Sequence, residues 1–194
     1  MNNKVTSEKS SGSSGAATID MKLEVVVLPV ADADRAKRFY GSLGWRLDLD
    51  FAADGGEYRV IQFTPPGSGC SVIFGRNVTS AAPGSARGHY LIVADIEAAR
   101  AELIRRGVEV GQPFHDTGGV FHHADSKCQA GGVNPQRKSY ASFAAFSDPD
   151  GNRWLLQEIT ARLSADLKVG DSRFTDAVVK AVHGTAPLDA ATLR

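Results

Sequence analysis

Three of the chain's five histidines, His115, His122 and His123, fall within residues 111–139, together with Asp116, Asp125 and Cys128. Imidazole titrates near neutrality, so a histidine held beside a cavity can take or give a proton at working pH. Zinc fits the spacing poorly. Adjacent histidines such as His122 and His123 tend to diverge, and no CxxC or HxxxH pattern occurs. Cys128 lacks any orienting base that the sequence fixes, which makes a nucleophile the weaker reading. Phe114, Val120 and Phe121 adjoin the histidines. That mixture suits a flap that docks its aromatics and turns imidazoles inward, with His122 and His123 diverging so that one of the pair faces a cavity. His115, His122 and His123 are the candidate catalytic residues. Ligand contact, metal ligation and a merely solvated loop remain the competing readings.

Loops of this length are uncommon in compact domains and often functional, so the elements around it matter. Lys22, at the head of an apolar, β-branched run to Val30, opens the first expected strand. Asp32 follows as a helix N-cap. Ala36, Phe39, Tyr40 and Leu43 lie at i, i+3, i+4 and i+7, one helical face ending near Gly44. Arg46 to Phe51, Glu57 to Thr64 and Ser71 to Gly75 read as three strands parted by Gly- and Pro-rich turns. The pattern then restarts. Val30-Ala31-Asp32 recurs as Val93-Ala94-Asp95, and the offset of 63 residues between Val30 and Val93 also relates Ala36 to Ala99 and Gly44 to Gly107. His89 to Val93 is the second opening strand, and Ile96, Ala99 and Leu103 are the second helical stripe. Val108 to Val110 starts a further strand. The last two strands, running from Ser139 to Phe146 and from Arg153 to Ile159, flank Asp148-Pro149-Asp150-Gly151-Asn152. There Pro149 fixes φ, Gly151 accepts positive φ, and the aspartates bond their own backbone.

An internal repeat of a unit too small to close its own core implies that the two units pair. The predicted division is a polar Ser/Gly-rich leader or tail over residues 1–20, a domain over 21–160, and an extension over 161–194. The domain splits into modules of about 21–80 and 86–160, the second carrying the long loop 111–139. Phe174, Val178 and Val182 predict a helix over 172–183 in the extension.

With 22 basic and 22 acidic residues the net charge is zero. No basic stripe argues for nucleic acid or an anionic membrane as partner. Two cysteines are too few for a disulfide framework, and no apolar run is long enough to span a bilayer, which makes a cytoplasmic protein the expectation.

Paired βαβββ modules, Val-x-Asp leading into a helix, and DPDGN before the final strand together resemble the vicinal oxygen chelate superfamily. That family includes glyoxalase I, bleomycin-resistance proteins and extradiol dioxygenases. The resemblance spans about 21–160 and implies an α+β fold of two paired βαβββ modules, whose curled sheets form a cup around a ligand. It also implies a homodimer, since family members commonly complete their cups through a second subunit.

Family enzymes hold a divalent metal in the cup with His, Gln or Glu. The resemblance carries those positions to Val25, Gly88, Leu155 and the strand from Ser71 to Gly75, none of which supplies a good donor. The expectation is therefore no metal and no cofactor. His89, Glu24 and Glu158 stand near these positions but fall on other parities. Val25, Gly88, Tyr90, Phe143, Leu155 and Gln157 are the candidate ligand-binding residues. Three functions stay open: a metal-free module that binds a small organic molecule, a metal-free enzyme using loop histidines as acid and base, and a metalloenzyme with relocated ligands.

Overall fold

Asp32 and Asp95 both take extended backbone angles and turn their carboxylates onto the next two free amides. Asp32 Oδ1 accepts from Asp34 and Arg35 N–H at 2.9 Å each, and Asp95 Oδ1 from Glu97 and Ala98 N–H at 3.0 Å each. The caps begin α1 (Ala33–Ser42) and α2 (Ile96–Arg105) at the corresponding points of the repeat. In this computed structural model the described residues are 19–118, 121–123, 127–164 and 166–184, excluding the Asp54 side chain.

The first sheet has the order β1-β4-β3-β2, built from β1 (Val25–Val27), β2 (Arg46–Ala53), β3 (Tyr58–Thr64) and β4 (Ser71–Arg76). The opening strand pairs parallel with the last, Val25 beside Ser71, and the other pairs are antiparallel. The second sheet repeats the plan as β5-β9-β8-β6-β7. Its strands are β5 (His89–Val93), β6 (Phe114–Asp116), β7 (Gln129–Gly131), β8 (Ser142–Ser147) and β9 (Arg153–Glu158). Here too the opening strand lies parallel to the last, with Tyr90 beside Leu155.

Strand alternation sends Ile61, Phe63, Val72 and Phe74 of one sheet, and Ala144, Phe146, Trp154 and Leu156 of the other, into one core. That core includes Tyr40 of α1 and Ile96 of α2. A smaller cluster of Leu167, Phe174, Val178 and Val179 docks α3 (Asp176–Gly184) and the extension against Tyr140.

Three elements differ from the sequence reading. The first strand is only three residues long, because the Pro29 carbonyl beyond it accepts from Gly84 N–H and Asn152 Nδ2 instead of a neighbouring strand. Val108 and Val110 are buried, but only Val110 forms a bridge, to Phe146. The stretch expected as a loop contains β6 and β7, and β6 is anchored on β8 through Phe114 beside Phe143.

The DPDGN turn of the second module grips the first. Asp150 Oδ1 accepts from Ala31 N–H at 3.0 Å and Arg35 Nη2 at 2.7 Å. Tyr40 donates to Asp148 Oδ2 at 2.8 Å, and Asn152 Nδ2 donates to the same oxygen and to the Pro29 carbonyl. Gly84, with φ of 72°, passes so close that a Cβ there would lie 1.9 Å from the Asp150 carbonyl oxygen.

Candidate functional site

On the face of the second sheet turned away from α2, a cavity of about 470 Å³ opens, of a size suited to a small organic molecule. All its described lining residues belong to the second module. The parallel β5–β9 register sets Tyr90 beside Leu155, and the antiparallel β8 register adds Ala145, whose small side chain leaves room above the sheet. Gly88 adjoins them with φ of 74°, and no heavy atom lies within 4 Å of where its Cβ would be.

The long connection supplies the opposite wall. Phe114 stacks on Phe143 with ring centroids 5.5 Å apart, and His122 lies against both, at 5.1 Å from Phe114 and 5.7 Å from Phe143. Burial holds the His122 imidazole below its ordinary pKa. Nearby Asp116 opposes that shift, and Arg153 and His123 add to it. A neutral imidazole at a cavity wall can donate from one nitrogen and accept at the other.

Backbone geometry separates the candidate histidines. Phe121 has a positive φ of 59°, and after it His122 joins the cavity wall while His123 stays exposed. The His123 N–H donates to Asp116 Oδ2 at 3.3 Å, and its Nε2 stands 3.9 Å from that oxygen. His115 pairs with Ser142, on the opposite sheet face to Phe114, and its Nδ1 lies 2.9 Å from the Gly132 carbonyl oxygen. It does not line the cavity.

Among the expected ligand-binding residues, Gly88, Tyr90 and Leu155 line this cavity together. Phe143 is fully buried behind Phe114 and His122. Gln157 shares the sheet face, but its Nε2 donates to the Tyr140 carbonyl at 3.1 Å. Val25 belongs to the first sheet and has no part in the cavity wall. The sequence reading missed Gln112, Gln129, Arg87 and Arg153 as wall residues. Alternation along β9 was the available signal for Arg153, which stands two residues before Leu155.

The neighbouring polar residues lie outside the cavity wall, and each has one buried side-chain atom without a partner among the described residues, His89 Nδ1 and Glu158 Oε2. His89 lies 5.0 Å from Trp154 on the core side of the sheet, and burial holds its pKa below the ordinary value, opposed by a hydrogen bond to the Arg153 backbone. Glu158 is buried and accepts from Ile96 N–H at 3.2 Å and Arg137 Nη2 at 2.7 Å.

The family model of the Glyoxalase/Bleomycin resistance protein/Dioxygenase superfamily matches residues 22–156. The chain belongs to this superfamily. Among solved structures, it is 28% identical to TnmS3, an antibiotic binding protein from Streptomyces sp. CB03234. The match covers 74% of this chain and 99% of that one, with a TM-score of 0.54. A glyoxalase/bleomycin resistance protein from the same Streptomyces strain is 29% identical over 71% of this chain and 100% of its own, with a TM-score of 0.51. A superfamily member from Sphaerobacter thermophilus DSM 20745 is 26% identical over 72% and 98%, at 0.53. No curated protein matches the chain.

A divalent metal of the kind superfamily enzymes carry needs side-chain donors at the positions to which the resemblance assigns its ligands. Gly88 and Leu155, two of the inherited ligand positions, line the cavity without a donor atom. Gly88 also holds a left-handed backbone angle that would strain any L side chain put there. Among the described residues no three His, Cys, Asp or Glu side chains gather into a metal-binding group.

Proposed function

We propose that this chain is a metal-free binding protein that takes a small organic molecule into the cavity of its second module. The observation that carries this reading is the wall itself. Tyr90, Phe114 and Leu155 offer apolar surface, His122, Gln112 and Gln129 offer a few polar atoms, and Gly88 and Leu155, to which the resemblance assigns metal ligands, offer no side-chain donor. Likeness to an antibiotic binding protein supports the same ligand class. Gly88, Tyr90 and Leu155 contact the ligand directly, while Phe143 and Gln157 support the floor. The test is titration calorimetry with a panel of aromatic natural products, followed by mass spectrometry of the mixture. Saturable one-to-one binding with the ligand recovered unchanged is expected. Stoichiometric metal in the purified protein, or a changed product, would overturn the reading.

His122 supports a second reading, a metal-free enzyme in which this imidazole takes or gives the proton. It is the one candidate histidine on the cavity wall. Turnover that disappears in H122Q while binding persists would favour it.

The protein acts as a cytoplasmic homodimer in this proposal. Leu49 and Phe51 of β2 are 44% and 52% exposed on the open face of the first sheet, and Ile92 is 42% exposed on that of the second, an apolar surface suited to a second copy. No helix among the described residues is long and apolar enough to cross a membrane. A monomer at micromolar concentration in light scattering would remove the dimer from the proposal.

A further inference from the structure

Among the described residues, the cavity wall contains two arginines, Arg87 and Arg153, and no Asp or Glu. Arg87 lies just before β5, and Arg153 opens β9. The Arg153 N–H donates to the Ala86 carbonyl at 3.0 Å, so the arginines stand at the starts of neighbouring strands. Alternation gives Arg153 the same face as Leu155.

Most buried or half-buried carboxylates elsewhere in the fold have claimed an arginine. Arg35 holds Asp150, Arg59 holds Asp50, Arg137 holds Glu158 and Arg173 holds Asp171. Arg87 and Arg153 make no ion pair among the described residues. Arg87 is nevertheless fixed, because its Nη1 lies 2.5, 2.7 and 2.9 Å from the carbonyl oxygens of Gly84, Ala86 and Gly151. Its Nε and Nη2 make no hydrogen bond among the described residues.

Two of the described acids nearby are otherwise engaged. Asp148 accepts from Asp150 and Asn152 N–H at one oxygen, and from Tyr40 and Asn152 side chains at the other. Asp116 accepts from Gly118 and His123 N–H. Glu109 borders the adjoining groove beyond Arg153 without pairing to it.

Two cations without counter-ions among the described residues, on one concave wall, raise the local potential and repel a cationic guest. Guanidinium donors match the two oxygens of a carboxylate. We infer that the ligand is an aromatic acid, its carboxylate at Arg87 and Arg153 and its ring against Tyr90, Phe114 and Leu155. This rests on the ligand-binding reading given above and specifies its chemistry.

A matched pair of probes, 2-naphthoate and 2-naphthamide, separates charge from ring. Titrated by calorimetry, the acid should bind at least about tenfold more tightly than the amide, and the difference should shrink as salt rises. R153Q removes a side chain with no hydrogen bond among the described residues. It should abolish most of the acid's advantage and leave amide affinity unchanged, with R87Q acting in the same direction. R105Q, which removes an exposed cation bound to Glu102, controls for net charge and should alter neither affinity. Equal binding of acid and amide, or an acid preference that survives both cavity substitutions, would overturn the inference and leave the small-molecule reading standing. Failure of both probes to bind would overturn the two together.

Discussion

Tyr40 and Asp148, 108 residues apart in sequence, meet through a 2.8 Å hydrogen bond inside the core that both modules share. Burial, reinforced by the Asp148 charge, pushes the phenol far above its ordinary range, so Tyr40 stays a donor at every working pH. Its oxygen also accepts from Trp154 Nε1 at 3.3 Å. Replacing Tyr40 with Phe keeps the ring, strands Trp154 Nε1 and leaves Asp148 Oδ2 with Asn152 Nδ2 alone. The expected loss is about 1–3 kcal/mol, because a buried group deprived of its partner bears its desolvation cost. Urea unfolding should show a lower midpoint at unchanged slope.

Gly84 meets the same turn from the other side. Alanine there would need both a left-handed backbone angle and space that the Asp150 carbonyl occupies. G84A should cost more than about 2 kcal/mol, from strain combined with displacement of the turn. Circular dichroism melts of G84A beside G170A make the comparison. Gly170 has a similar positive φ with nothing within 4 Å, so any excess loss at Gly84 reports the close approach.

Acid should weaken the fold in a window set by two histidines. Burial lowers the pKa of both His89 and His122 in the folded state. The unfolded chain therefore binds protons first. Stability is complete above the unfolded value of about 6.5 and falls as pH drops through it toward the folded values. H89Q and H122Q should each flatten part of the decline in Tm between pH 7 and pH 5, and the double variant should flatten most of it. Asp50, with its carboxylate held low by Arg59 first and Lys37 also, contributes in the more acidic range below about 4. An unchanged slope in the double variant would reject the assignment.

Ligand affinity should divide the loop histidines. H122A removes a ring from the cavity wall and exposes the Phe114–Phe143 pair, so binding of 2-naphthoate should weaken about tenfold. H123A and H115A alter groups outside the wall and should stay within about twofold of the parent. Equal losses in all three would show that the segment, rather than one side chain, governs binding.

The parts legible in the sequence are local ones. Asp32 and Asp95 announce their helices because a cap acts within three residues, and the repeat announces two modules because the same local signals recur. Gly88 and Leu155 come from the family resemblance and Tyr90 from strand parity with them, and the three line one cavity. Short or distant features escape such reading. Phe114–Asp116 and Gln129–Gly131 are three residues each, too brief to show a period of two. Val25 shares its position in the repeat with Gly88, but that correspondence does not reveal that the cavity belongs to one sheet. Nor does the composition of DPDGN disclose that Asp150 holds Arg35 and Ala31, since that contact depends on the fold as a whole.

The grip of the late turn on the early module bears on how the chain is made. A ribosome delivers the first module in full before Asp148, Asp150 and Asn152 exist as a turn. Until they emerge, the Tyr40 hydroxyl, the Pro29 carbonyl and the Ala31 amide lack their final partners, and the aromatic surface around Trp45 lacks Trp154. Contacts this distant in sequence also form slowly, because the loop must close before they contribute. The nascent first half is thus an unfinished surface awaiting the end of its own message, and a chain released early would leave the ribosome with that surface exposed to aggregation.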